Sequence, residues 1–237
     1  MKARHSNVLL PWYKKWWGVL ILAVLSLIAI IVIISVIYII NKIQQIKTAQ
    51  NQTLTAQQFQ AYLNEINGDG TNFSTGSSKP QVTIVEFGDF ACPFCQESAD
   101  GIRKVVAAHA DKIKLVFRDY PLHDNSIDLA LAARCAGEQG KFWETYDALY
   151  ANQTALNATS TGLNDNLMSL AASLKLDTTK FSACLTEKTY LDQVRKDYED
   201  GVSLEIKGTP TWFINNYEVT GALTEDRFQQ LVSGLIK

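Results

Sequence analysis

The sequence predicts an α/β domain with a helical insertion, carried behind one transmembrane helix and a stalk. Three observations predict it. Two short apolar runs rich in β-branched residues, 82–87 and 113–117, flank a helical stretch, a spacing that implies a crossover helix and parallel strand pairing. Residues 126–201 show helical periodicity almost throughout. The first 47 residues contain a long uncharged run flanked by basic residues alone.

That N-terminal segment comes first. Of the 22 basic residues, Lys2, Arg4, Lys14, Lys15, Lys42 and Lys47 lie in the first 47 positions, and none of the 24 acids does, so this segment is +6 and the remainder −8. With no basic patch left in the main domain, nucleic-acid binding is excluded as an expectation. Residues 18–40 carry no charge. As a helix rising ~1.5 Å per residue they span the ~30 Å hydrocarbon core of a bilayer. Four basic residues precede this run and two follow, so the positive-inside rule puts residues 1–17 in the cytoplasm and everything after about 41 outside. Trp12, Tyr13, Trp16 and Trp17 suit an interfacial aromatic belt. A cleaved signal peptide is the alternative, but the apolar run is longer than a signal's and no A-x-A-like site follows closely. The expectation is a single-pass anchor in the cell membrane.

Residues 41–79 read as a stalk and linker. The Gln-rich stretch 44–66 suits a short amphipathic helix with Leu54, Phe59, Tyr62, Leu63 and Ile66 as its apolar residues, stopped by Gly68-Asp69-Gly70. The Ser/Thr/Gly-rich run 71–80 then reads as a flexible linker.

The domain proper is expected over 80–237. A strand at 82–88 is followed by a helix at 92–110 and a second strand at 113–117. The helical insertion occupies about 124–201, with apolar stretches around Leu129, Phe142, Leu167 and Phe181. Residues 211–214 and 217–220 suit a hairpin turning at Asn215-Asn216, and Thr224 caps a closing helix. Arg118, Asp119 and His123, near the end of the second strand, read as a solvated loop, with a place on the rim of the active site as the alternative.

At the first strand-to-helix junction stands Cys92-Pro93-Phe94-Cys95. Two cysteines one helical turn apart can close a small disulfide ring, and the helix N-terminus puts partial positive charge and unpaired N–H groups beside the first sulfur. This favours the Cys92 thiolate, the nucleophilic form. Pro93 suits the first helical position, where an N–H is not needed. Cys92 is therefore expected at an exposed tip, attacking or being attacked, with Cys95 shielded one turn in and resolving the mixed disulfide. A zinc site would need a second ligand pair. Cys135 and Cys184 stand far from the motif and from each other, and His5, His109 and His123 form no pair, so no metal is expected. A structural disulfide within the motif would close too small a loop to stabilise much. No cofactor beyond the dithiol is required.

Three ordered stretches, 85–95 (VEFGDFACPFC), 117–122 (FRDYPL) and 208–211 (GTPT), resemble the DsbA-like branch of the thioredoxin superfamily, and in particular its membrane-anchored extracytoplasmic thiol-disulfide oxidoreductases. The resemblance covers roughly residues 80–237 and implies a thioredoxin-like fold. It makes Pro210 a cis-proline lying against the dithiol and Thr209 an exposed backbone that a substrate segment can pair with, alongside Pro93 and Phe94. It makes Glu86 a buried acid beneath the site that exchanges a proton with Cys95, against the alternative of a solvent-facing strand residue. It also implies a structural disulfide between Cys135 and Cys184, with two buried free thiols as the competing reading. The expected substrates are thiols of unfolded or newly exported proteins, and the expected regenerating partner is a quinone-linked membrane re-oxidase. Phe94 departs from the pattern: strong oxidants of the family often carry His there, whose charge helps hold the thiolate. The expected function is an oxidase that donates the Cys92–Cys95 disulfide through a mixed disulfide at Cys92; because of Phe94 a reductase or isomerase with the same site stays open as the alternative, with a non-catalytic peptide-binding module as a third reading.

Overall fold

The computed structural model describes residues 16–67, 70–157, 162–215 and 217–236, and the chain forms two compact units, Met1–Phe59 and Gln60–Lys237. Helix α1 (Trp16–Asn67) runs unbroken for 52 residues. Within it Leu20–Lys47, 28 residues, is long and apolar enough to cross a membrane. Leu25, Ile34 and Ile40 are among its exposed side chains, an apolar surface that hydrocarbon can cover. The separate stalk helix is thus part of α1. No Gly or Pro interrupts residues 41–67, and Gln, Ala, Lys and Leu all sustain a helix. Trp12, Tyr13 and the basic residues before 16 lie outside the described residues, as do Gly68, Asp69, Asn216 and the side chains of Trp17, Leu54, Phe59, Tyr62 and Leu63.

The second unit is built on a five-stranded mixed sheet of β1 (Ser74–Gly76), β2 (Val82–Gly88), β3 (Ile113–Asp119), β4 (Thr211–Ile214) and β5 (Tyr217–Thr220), in the order β1-β3-β2-β4-β5. Strands β2 and β3 pair in parallel, from Val82 opposite Ile113 to Gly88 opposite Asp119, across the crossover helix α2 (Pro93–Ala108); the other pairs are antiparallel. Between β3 and β4 lie α3 (Ser126–Glu138), α4 (Phe142–Ala151), α5 (Gln153–Asn157), α6 (Leu163–Ser173), α7 (Thr178–Glu187) and α8 (Leu191–Ser203), and α9 (Glu225–Ser233) closes the unit. Asp177 caps α7 through the N–H groups of Thr179 and Lys180, both at 3.1 Å, and Thr224 caps α9 through that of Arg227.

The run 71–80 is not a free linker. Ser74, Thr75 and Gly76 pair with Val116, Leu115 and Lys114 at the sheet edge. Phe73 stacks on Phe142 with ring centroids 4.2 Å apart. Three small residues offer no alternation from which to read a strand, so the register rests on fit. Gly76 has φ +93, and a Cβ there would stand 2.2 Å from the Ile113 carbonyl oxygen, so only glycine serves.

Alternation along β2 and β3 sends successive side chains to opposite faces of the sheet. Val82, Ile84, Ile113 and Leu115 pack with Ile102, Val105 and Val106 of α2 and Phe228 and Val232 of α9. Val85, Phe87 and Val116 pack instead with Ile66, Leu204, Ile206 and Phe213. A third cluster joins the insertion to the first turn of α2 through Phe90, Phe117, Tyr146, Leu149 and Phe181. Within it Cys135 of α3 and Cys184 of α7 are joined by a disulfide, which excludes the reading of two free thiols. Closing a loop of that length is worth about 4 kcal/mol in the chain-entropy account.

Candidate active site

Cys92 is the N-cap of α2, and Pro93 opens the helix as expected. The Cys92 carbonyl accepts from the N–H groups of Cys95 and Gln96, both at 3.2 Å, closing the turn. The Thr209-Pro210 bond is cis, and Cys92 Sγ stands 3.3 Å from the Thr209 carbonyl oxygen, so the loop before β4 lies directly against the first sulfur. That contact corrects one expectation. Cys92 is only 2% exposed, and the exposed group at the tip is Phe94, at 59%.

The two sulfurs have opposite acidities. A hydrogen bond from the Cys95 thiol, with smaller help from Thr209 and the N–H groups of Cys95 and Phe94, overcomes partial burial and lowers the Cys92 pKa to about 5. Cys95 is fully buried; burial, its bond to Cys92 and the charge of Glu86 push its thiol well above the ordinary value. At neutral pH, Cys92 is therefore a thiolate and Cys95 a thiol. The positive charge absent at Phe94 is replaced by local hydrogen bonds.

Glu86, on β2, is fully buried rather than facing solvent. Burial raises its pKa to about 8, opposed by a hydrogen bond from the Tyr146 hydroxyl to Oε2 at 2.9 Å and by the charge of Arg103. It is a neutral acid at pH 7, close enough to Cys95 for their charges to interact.

The backbone leading into the dithiol is tied down by side chains that the sequence did not single out. Asp89, 1% exposed, accepts from the N–H of Ala91 through Oδ1 at 2.8 Å. Its Oδ2 accepts from the N–H groups of Leu122 and His123 and meets His123 Nδ1 at 2.7 Å. Burial works against a charged His123 ring, yet the bond to Asp89 and the charges of Asp89, Cys92 and Asp124 hold its pKa above the usual value. Gln153, from α5, donates to the carbonyls of Phe90 and Cys92, both at 2.9 Å, and Asn157 donates to that of Ala91 at 2.9 Å. The signal for Asp89 was its place directly between β2 and the dithiol; α5 carried none, being an ordinary polar turn in sequence.

Of the two readings, His123 takes the rim of the site, through its contact with Asp89. Arg118 and Asp119 are not on a loop either: β3 extends through both, and both are buried. Arg118 lies on the sheet face opposite Glu86, and Asp119, at the end of β3, is joined to its partners through Arg134. Arg118 donates to Asp197 at 2.8 Å, to Asp200 and to the Ile66 carbonyl, and its guanidinium lies 4.9 Å from the centre of the Phe87 ring. Arg134 bridges Asp119 and Asp197, both at 2.5 Å, and donates to Asn72. Among the described residues, no cluster of three or more His, Cys, Asp or Glu side chains is arranged to hold a metal.

The family described as Thioredoxin matches residues 68–233. The chain belongs to the thioredoxin family. Its fold resembles that of the thiol-disulfide exchange protein α-DsbA2 from Wolbachia pipientis, with TM-score 0.66 and 19% identity over 78% of this chain and 98% of that one. It likewise resembles oxidised BdbD from Bacillus subtilis, with TM-score 0.57 and 25% identity over 68% of this chain and 90% of that one. Among curated relatives, the Na(+)/H(+) antiporter NhaA 1 of Salinispora arenicola is 33% identical over 143 residues, which is 59% of this chain and 21% of the antiporter. The chain thus spans about a fifth of the length of the curated relatives it matches.

Proposed function

We propose that the chain is a membrane-tethered oxidase that donates the Cys92–Cys95 disulfide to thiols of unfolded or newly exported proteins. Residues 18–40 anchor it, residues 1–17 face the cytoplasm, and the domain from about 60 onward works outside. A substrate thiolate attacks Cys92 Sγ, the Cys92–Cys95 bond breaks, and Cys95 leaves as a thiolate that takes the proton of Glu86. A second substrate thiolate then attacks the substrate sulfur of the mixed disulfide and expels the Cys92 thiolate. The substrate leaves oxidised by two electrons, the dithiol remains reduced, and a quinone-linked membrane re-oxidase restores it. Thr209-Pro210, Pro93 and Phe94 form the surface on which the substrate segment lies.

The observation that carries this reading is the opposed acidity of the two thiols. A Cys92 pKa of about 5, against an ordinary thiol value of 9, stabilises the reduced folded state. At pH 7 the gain is at most about 2.7 kcal/mol, or roughly 60 mV toward the oxidising side. It is an upper limit because the first turn borders solvent at Phe94. Titrating the full-length chain in detergent against glutathione should give a potential well above thioredoxin's −270 mV or so and below DsbA's −120 mV or so. A value at or below that of thioredoxin sinks the oxidase reading in favour of a reductase. Cys92→Ala should abolish exchange and Cys95→Ala should accumulate mixed disulfides; full exchange by the Cys92 variant would leave only a peptide-binding module.

A further inference from the structure

A carboxyl group that protonates Cys95 must present one chosen oxygen to it, because burial leaves no water-filled space in which to reorient. Glu86 has two inequivalent oxygens. Oε2 accepts from Tyr146, whereas Oε1 is buried without a hydrogen-bond partner among the described residues. Oε1 lies over Gly88: a Cβ there would stand 2.9 Å from Oε1 and 2.5 Å from the Phe117 ring. The next backbone N–H, that of Asp89, points at Cys95 Sγ from 3.5 Å. Glu86 Oε1 and Cys95 Sγ therefore rest on adjacent peptide units, and the missing side chain of Gly88 keeps the space at Oε1 open.

Tyr146 itself has no freedom. It is fully buried, with its ring held at 4.8 to 5.8 Å between centroids by Tyr150, Trp143, Phe117 and Phe90. We propose that Tyr146 is a positioning residue for thiol–disulfide exchange, its hydroxyl pinning Glu86 Oε2 so that Oε1, above Gly88, carries the proton delivered to Cys95. In the step described above, the Oε1–H bond breaks as the Cys95 S–H bond forms, and the Glu86 carboxylate that remains is held by the Tyr146 hydroxyl. This rests on the exchange reading, in which Glu86 is the proton donor.

The test uses the oxidised full-length chain in detergent, reduced by glutathione in a single turnover across pH 6 to 10, with rates corrected for glutathione thiolate. The native chain should show an inflection near the Glu86 pKa of about 8. Glu86→Gln should lose the inflection and about 100-fold in rate. Tyr146→Phe keeps the ring, and should slow the reaction about 10-fold while moving the inflection up by about one pH unit, because the carboxylate loses its donor. General loosening would instead admit water and move it down. In the Glu86→Gln background, Tyr146→Phe should have no further effect. An unmoved inflection, or the same 10-fold loss in the double variant, overturns the positioning role while leaving Glu86 as donor. An unchanged Glu86→Gln profile overturns both. Should Tyr146→Phe not fold, the infrared carbonyl band of protonated Glu86, identified by its absence in Glu86→Gln, decides the matter. A band lowered in frequency by hydrogen bonding supports the proposal, and one at the position of an unbonded buried acid overturns it.

Discussion

The two faces of the sheet bury acidic groups in opposite ways. On one face Glu86 has a single neutral donor, Tyr146, and stays protonated at neutral pH. On the other, Arg118 pairs with Asp197 and Asp200 and reaches the carbonyl of Ile66, while Arg134 ties Asp197 to Asp119 at the end of β3 and Lys196 also pairs with Asp200. A buried carboxyl without a cation becomes neutral and can trade its proton, whereas carboxyls matched by guanidinium groups fasten elements together. Adjacent strand positions, Glu86 and Phe87 opposite Phe117 and Arg118, thus separate proton chemistry from architecture.

The largest expected effect tests the architectural face. Arg118→Met leaves Asp197 with Arg134 alone and Asp200 with Lys196 alone, and should cost about 3–5 kcal/mol in chemical denaturation of the full chain. Its exchange rate under native conditions should be unchanged; a slowed exchange would mean that the faces are not separate. Next, removing the insertion's disulfide with Cys135→Ala and Cys184→Ala should cost about 4 kcal/mol by the same measurement. On the chemical face, a carboxyl raised from 4.5 to about 8 contributes a stability penalty that grows as pH rises through that window. Glu86→Gln should therefore gain stability relative to the native chain by roughly 2.5 kcal/mol between pH 6 and pH 9. A pH-independent difference would show that Glu86 is not held neutral by the fold. The smallest effect lies outside both clusters: Asp177→Ala removes the cap of α7 and should cost about 1 kcal/mol without altering exchange or its pH dependence.

The fold class and the elements of the βαβ unit, the insertion and the closing hairpin were legible because their signals are local: alternating apolar runs, a dithiol after a strand, Gly-Thr-Pro before another. Glu86 and Pro210 were placed by resemblance; in the structure Glu86 is buried within electrostatic reach of Cys95, and the carbonyl of Thr209, just before Pro210, stands 3.3 Å from Cys92 Sγ. What stayed hidden depends on pairings across the chain. Arg118 meets Asp197 and Asp200 from some eighty positions away, and nothing local distinguishes an arginine in a buried network from one in a loop. Strand β1 was missed because Ser74-Thr75-Gly76 has no pattern of its own and exists through Gly76's fit to Ile113. The burial of Cys92 was missed because the loop that covers it arrives more than a hundred residues later.

Under the proposed oxidase activity, the Cys135–Cys184 bond also makes the chain a client of its own chemistry. Its insertion, which supplies Tyr146, Gln153 and Asn157 to the dithiol, is secured by a cross-link that must be made after synthesis by some thiol oxidation. A new molecule needs an oxidising environment before it is finished, and on the oxidase reading one already complete can finish the next. Synthesis in a reducing compartment should yield chains with the dithiol intact but the insertion loosened, so activity would appear only after a lag that shortens when mature enzyme is added.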